Sequence, residues 1–270
     1  MIHDNPRTLE KPGAKFVTAN QMQTALQTWG GWKILQPLTG GYRNTAFLVE
    51  QNGIRRVAKS TRRNEAAMRW LQPVHALARA VGFQTPDLIE NMNGTLVCEG
   101  VTLETFVAGN PVTAVQLLEM LPQLQAFHQR CEEIGQRPGF ASSLELLHQT
   151  NGGDIDLNAM PENLVFTCRE HWAQNTGTKT TVIHGDINPN NILIGSDGKY
   201  GLVDWDETRV GIPAFDTLAL SRAAGQQLTA LELLLLDAWE VVVCWQVEPE
   251  HALEVAKRFR SSSDQQKGQS

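Results

Sequence analysis

His184-Gly185-Asp186-Ile187-Asn188-Pro189-Asn190-Asn191-Ile192-Leu193-Ile194, and then Leu202-Val203-Asp204-Trp205-Asp206-Glu207, are the stretches on which the reading of this 270-residue chain turns. A short apolar run from Thr181 to Ile183 leads in, and Ile192 to Ile194 leads out. The polar residues between them therefore project from a loop held at both ends by strands. Ser196-Asp197-Gly198 turns a hairpin whose second strand, Tyr200 to Val203, delivers Asp204 at its end. A single His-x-Asp is a common polar turn. Asp186, Asn191 and a strand-terminal Asp204 after a hairpin form a set much harder to meet by chance, and the set has a chemical use. Phosphoryl transfer to a hydroxyl needs a carboxylate to orient the hydroxyl and take its proton, and oxygen ligands to hold a hard cation against phosphates.

Working outward, the hydrophobic period divides the chain. Ala19 to Trp29 reads as an amphipathic helix with Thr18 as N-cap and Gly30-Gly31 at its end. Trp32 to Leu38, Thr45 to Glu50 and Ile54 to Lys59 read as strands, separated by Gly40-Gly41 and by the hairpin signal Asn52-Gly53. Asn64 to Val81 carries a helical apolar stripe, with a kink expected near Trp70 from Pro73. Strands are expected at Thr95 to Glu99 and Thr102 to Phe106. After Ala108-Gly109-Asn110-Pro111, a linker by composition, the pattern turns helical: Val115 to Ile134 (interrupted by Pro122), Glu162 to Gln174, Phe215 to Ala224, Thr229 to Val247 and Pro249 to Phe259. The expected fold class is α+β, with a small antiparallel-sheet part over residues 1–106, a larger helical part over 107–260 and a polar, disordered tail over 261–270.

Composition excludes several classes. No apolar run approaches the about 20 residues of a membrane helix, and Met1 to Lys15 lacks the apolar core of a signal peptide. Four cysteines, Cys98, Cys131, Cys168 and Cys244, stand far apart without metal-ligand spacing, which reads as reduced thiols in a cytoplasmic protein. Residues 1–96 hold 12 Lys and Arg against 6 Asp and Glu, and residues 97–270 hold 11 against 23. The basic part suits an anionic ligand, the acidic part suits metal or a cationic one, and nucleic acid is not an expected partner.

The motifs HGDxxxxNIL and LVDWDE resemble those of the aminoglycoside phosphotransferase and choline kinase family, small-molecule kinases with a two-lobed protein-kinase-like fold; the similarity runs from about Leu38 to Leu220. The resemblance implies ATP and Mg2+, with Asp186 as the catalytic base and Asn191 and Asp204 as metal ligands. It also implies His184 as a support of the catalytic loop and Asp206 beside the metal or facing the acceptor. Asp216, in Gly211-Ile212-Pro213-Ala214-Phe215-Asp216, would anchor the loop. Leu124 to His128 resembles the family's helix ending in Leu-His, with Phe127 in place of the leucine.

In the N-terminal part, Leu38-Thr39-Gly40-Gly41-Tyr42-Arg43-Asn44 resembles the family's glycine turn over the ATP phosphates, which brings in Gly40, Gly41 and Asn44. Lys59, ending the third strand, is the candidate for the α/β phosphates, and Glu104 to Gly109, with Phe106, resembles the hinge whose backbone meets adenine. The family places a glutamate on the next helix to pair with the lysine. Its expected position falls near Leu71, whereas the only carboxylate between Lys59 and Asp87 is Glu65. Either the helix is shifted so that Glu65 pairs with Lys59, or the pair is absent; as a plain helix-start charge Glu65 would serve the dipole. Arg62-Arg63 reads as a solvated helix start. The acceptor would be a small hydroxyl compound, and acidic residues such as Asp154, Asp156, Asp206 and Glu207 would suit a cationic one. A nucleotide-binding pseudokinase acting as a regulatory module is the alternative.

Overall fold

The computed structural model describes residues 17–38 and 43–267. Thr18 caps the first helix, α1 (Ala19–Ala25), in a capping box with Gln21, and a 3-10 turn over Leu26–Trp29 ends at Gly30 with φ of 91°. Strands β1 (Lys33–Leu38), β2 (Ala46–Gln51) and β3 (Ile54–Ser60) follow as an antiparallel meander, with Asn52 and Gly53 at positive φ in the tight hairpin. The second helix, α2 (Glu65–Ala80), is capped by Asn64, whose side chain accepts from the Ala67 amide, and runs through Pro73 without ending. Strands β4 (Leu88–Ile89) and β5 (Val101–Thr105) complete a five-stranded antiparallel sheet in the order β1-β2-β3-β5-β4.

One expected strand does not form. Residues 95–99 make only an isolated bridge, at Cys98. The Glu65 carboxylate takes the Leu96 and Val97 amides, at 2.9 and 3.1 Å, that a ladder would otherwise have used. The sheet instead gains the short β4, which pairs with β5 through Leu88 and Ile89.

The rest of the chain is mainly helical: β6 (Asn110–Pro111), α3 (Ala114–Arg130), β7 (Asn151–Gly152), β8 (Ile155–Asp156), α4 (Glu162–Ala173), β9 (Thr181–Ile183), β10 (Ile192–Ile194), β11 (Tyr200–Leu202), β12 (Arg209–Gly211), α5 (Ala214–Ala223), α6 (Ala230–Cys244) and α7 (Pro249–Lys267). Pro122 lies inside α3, which is continuous across it. The linker read from composition contributes β6 to a three-stranded sheet with β10 and β11. The last helix overruns its expected end, so residues 261–267, read as part of a disordered tail, are helical. Phe259 and Ser263 explain the extension: both are buried, and Ser263 Oγ bonds His171 Nε2 at 3.2 Å.

Three apolar clusters hold these elements. One packs α1 under the five-stranded sheet through Met22, Leu26, Trp29, Val49 and Leu103. Another unites α4, α6 and α7 around Trp172, Trp239 and Phe259. The third joins the two parts of the molecule: Met68, Leu71, Val74 and Ala78 of α2 pack with Leu117 and Leu124 of α3, with Val182, Ile192 and Leu202, and with Trp205. Burial of large apolar side chains stabilises by about 1.5–3 kcal/mol each. This shared core therefore fixes α2, and the sheet above it, against the loop that carries the polar motif.

Candidate active site

The loop between β9 and β10 is built around Asp216 at the start of α5. Its carboxylate accepts the His184 amide at 2.7 Å and the Gly185 amide at 2.9 Å, and meets His128 Nε2 at 3.0 Å. Burial would raise the Asp216 carboxyl, but His128 and these donors hold it below its ordinary value. Asp216 thus anchors the loop, and His128 at the end of α3 braces the anchor. His184 is fully buried. Its Nε2 donates to the Val203 carbonyl at 3.1 Å, while Nδ1 accepts the Asp186 amide at 3.4 Å. Gly185 has φ of 83°, and a Cβ there would lie 2.6 Å from the Glu207 carbonyl oxygen, so only glycine fits.

Asp186 emerges from this scaffold with both carboxylate oxygens engaged. Asn188 Nδ2 donates to Oδ1 at 2.9 Å and Asn191 Nδ2 donates to Oδ2 at 2.8 Å. Burial and the neighbouring Asp204 push the Asp186 carboxyl up, against the opposing influence of His184 and Arg43. Asn191, which lines the cavity, spends its amide nitrogen on Asp186, leaving its oxygen as an acceptor. Asp204 sits at the end of β11 with φ of 62°, a left-handed turn that Asp tolerates better than most residues. This turn sends its carboxylate to an ion pair with Lys59. A cavity of about 380 Å³ opens over Asp186, Asn191 and Asp204, with Arg43, Glu207 and Glu248 on its walls.

Lys59 is the penultimate residue of β3. Burial would lower its pKa, but Asp204, then Asp206 and Glu104, carry it well above the ordinary lysine value. The expected Lys59–Glu65 pair is absent among the described residues: Glu65 holds the Leu96 and Val97 amides and pairs with Arg69 Nε at 2.7 Å. Leu71, the place expected for the helix carboxylate, is buried beside Lys59 and apolar. Glu104 lies in β5 and Phe106 just after it, half exposed, where the chain crosses to β6. Gly40 and Gly41 lie outside the described residues. Asn44 places its Nδ2 3.0 Å from Asp206 Oδ2.

The arginines hold what the sequence did not reveal. Arg63 is buried rather than solvated. It clamps Asp154 through two 2.9 Å bonds and reaches Glu207 at 3.1 Å and Asp206 at 3.2 Å. Arg43 joins Glu207 at 2.9 Å and Glu248 at 2.8 Å, and Arg209 also pairs with Glu207. Arg137, fully buried, ties the Ala67 carbonyl of α2 at 3.1 Å to the Asp206 carbonyl at 2.8 Å. Burial would raise the Asp206 and Glu207 carboxyls, yet these guanidiniums hold Asp206 far below its ordinary value and Glu207 at about 2. Asp154, Asp206 and Glu207, read as suited to a cationic acceptor, are thus each paired with arginine within the protein. Asp156 is spent as well, accepting the Asn158 amide at 3.0 Å. No sequence signal linked Arg63 or Arg137 to the site, since their partners stand far along the chain.

A site for Mg2+ can be judged on its donors. Among the described residues no three His, Cys, Asp or Glu side chains gather as a closed metal centre. The Asn191 oxygen and the Asp204 carboxylate are hard oxygen donors on one cavity, which fits a magnesium ion completed by phosphate and water rather than a protein cage. Among the described residues no helix is long and apolar enough to cross a membrane.

Known proteins agree with this architecture. The structure is similar to a microcompartment-associated aminopropanol kinase (TM-score 0.61, 12% identity, 91% of this chain and 95% of that one). It is also similar to choline kinase LicA from Streptococcus pneumoniae (TM-score 0.59, 13% identity, 86% and 95%). A thermostable mutant of aminoglycoside phosphotransferase APH(4)-Ia, in ternary complex with ADP and hygromycin B, matches with TM-score 0.59 and 11% identity over 90% of this chain and 97% of that one. At such identities the likeness speaks for the two-lobed, protein-kinase-like fold. No curated protein sequence matches. Residues 34–248, from β1 to the start of the last helix, match the phosphotransferase enzyme family APH, and the chain belongs to that family.

Proposed function

We propose that the protein transfers the γ-phosphoryl group of ATP to a hydroxyl of a small molecule, with Asp186 as the base. One observation carries this reading: Asp186, Asn191 and Asp204 meet on a single cavity, and Asp204 reaches Lys59 across the junction between the sheet and the helical part. Asn188 and Asn191 fix the rotamer of Asp186, so its remaining lone pairs face an incoming hydroxyl. Its upward-shifted carboxyl is a stronger base than a solvated one, which favours proton transfer from the acceptor as the new O–P bond forms. Lys59 would leave Asp204 for the nucleotide phosphates. Mg2+ held by Asn191 and Asp204 would neutralise charge on the phosphoryl oxygens. Catalysis here is positioning and electrostatics, with no covalent protein intermediate.

The cavity supports a small acceptor, and its wall favours a cationic one through Glu240 and Glu248 rather than the residues first expected. Glu240 pairs with the exposed Arg222 and His251, which a ligand ammonium can replace, while Glu248 pairs with Arg43. The absent Lys59–Glu65 pair favours the second reading, a nucleotide-binding module without turnover. ADP release from MgATP decides between them, screened over aminoglycosides, choline-like alcohols, sugars and amino alcohols with Asp186→Asn as control. Acceptor-dependent release that vanishes in the variant is the expected result. Release of equal rate in Asp186→Asn would overturn the base, and MgATP binding without release on any acceptor would favour the module.

A further inference from the structure

Lys59 lacks the partner that its proposed task requires. A lysine that grips phosphates must be held toward them, and its observed partner, Asp204, is the residue proposed to turn to the metal. Glu65 is committed to the Leu96 and Val97 amides and to Arg69. Asp206 is committed to Arg63 and Asn44. The helix face that looks at Lys59 presents Leu71, packed in the core shared with α3 and β9–β11.

One carboxylate remains. In the β3–β5 ladder Lys59 faces Thr102 and Val57 faces Glu104. Residues two apart on a strand share a face, so Glu104 stands diagonally across from Lys59 on the same side of the sheet. Diagonal neighbours of this kind lie about 7–8 Å apart at the backbone, within the reach of a lysine and a glutamate. Lys59, Leu71, Thr102, Glu104 and Asp206 line one small cavity of about 20 Å³, room for a single water. The Glu104 side chain makes no hydrogen bond or ion pair with any described residue, and it is neither fully buried nor on the outer surface. A carboxylate left without a hydrogen-bond donor, facing a lysine across a cavity of that size, is in position to take the ammonium once Asp204 releases it.

We propose that Glu104, on β5, is the positioning carboxylate that holds Lys59 toward the nucleotide phosphates, in the place of an acidic residue on α2. The ion pair has moved from helix to sheet: α2 is free to present leucine to the shared core, and the lysine is steered from the strand beside its own. This rests on the phosphotransferase reading. Burial pushes the Glu104 carboxyl up to about 7, with Lys59 pulling it back, so the approach of the ammonium is what completes its ionisation.

The test is MgATP affinity measured by calorimetry on the full chain, which needs no acceptor. Glu104→Gln, close to isosteric, is expected to weaken MgATP binding about tenfold, with the thermal midpoint of the nucleotide-free protein unchanged. Lys59→Ala is expected to weaken it at least as much, and the double variant to bind no more weakly than Lys59→Ala alone, because residues acting through one another are not additive. Glu104→Asp, which keeps the charge, is expected to recover most of the affinity and supplies the comparison should Glu104→Gln not fold. Wild-type affinity in Glu104→Gln, or losses that multiply in the double variant, would overturn the positioning role. Wild-type protein that binds no MgATP would overturn the phosphotransferase reading itself, a distinct result.

Discussion

At the scale of single residues the site is a set of carboxylates given different tasks by their neighbours. Asp186 and Asp216 stand on one loop, yet burial and Asp204 push the first up while His128 and two amides hold the second down. Asp186→Asn is expected to lower turnover by about 10²–10⁴-fold while leaving MgATP affinity near that of the wild type, read by steady-state ADP release and calorimetry. Asp204→Ala is expected to behave oppositely, losing magnesium-dependent nucleotide binding; unchanged affinity in a magnesium titration would remove it from the ligand set. Asp186, Asn191 and Asp204 were legible as candidates from the chain because the segment that displays them is local. Its glycine, its turn residues and the strands on either side lie within 24 residues from Thr181 to Asp204.

At the scale of elements, two anchors do the positioning. Asp216, from the first turn of α5, carries the loop between β9 and β10 through the His184 and Gly185 amides. Asp216→Ala leaves those donors and His128 without an acceptor, a loss on the order of 3 kcal/mol in urea unfolding, with turnover falling more than nucleotide affinity. Glu65 has the corresponding task at the start of α2, where it clasps the segment before β5. Because it is partly exposed, Glu65→Ala is expected to cost about 1 kcal/mol of stability and to leave MgATP affinity unchanged. A large affinity loss in that variant would restore it as the partner of Lys59. The prolines of α2 and α3 carry the same lesson. Both helices continue across Pro73 and Pro122 because their apolar faces are buried in the shared core, and that burial outweighs the about 3 kcal/mol cost of one interior proline.

At the scale of the molecule, the sheet and the helical part are bound by α2's apolar face and by a buried charge cluster around Arg63, Arg43 and Arg137. Arg63→Leu removes the cation that Asp154, Asp206 and Glu207 share. The expected loss is about 3–5 kcal/mol, the usual cost of stranding buried charge. The cluster also sets the acid limit. Glu207 titrates at about 2 in the folded protein against an ordinary 4.5, so its stabilisation is complete above pH 4.5 and is lost as pH falls from there toward 2. Urea unfolding between pH 5 and 3 should lose stability with falling pH, and Glu207→Gln should flatten that slope by up to about 1.4 kcal/mol per pH unit. An unaltered slope would show that Glu207 is not held by its arginines.

The sequence by itself determined the main helices, the β1–β3 meander and the loop that displays Asp186 and Asn191, since hydrophobic period and turn residues act over a few positions. Only the tertiary structure decided which charges meet. Arg63 finds Glu207 across 144 residues and Arg43 finds Glu248 across 205, and no local pattern encodes such pairings. The same holds for Glu65, drawn to the amides of Leu96 and Val97, and for Glu104, brought across the sheet from Lys59 by the register of β3 on β5. Ion-pair partners follow from where packing buries each side chain, and packing is a property of the assembled core.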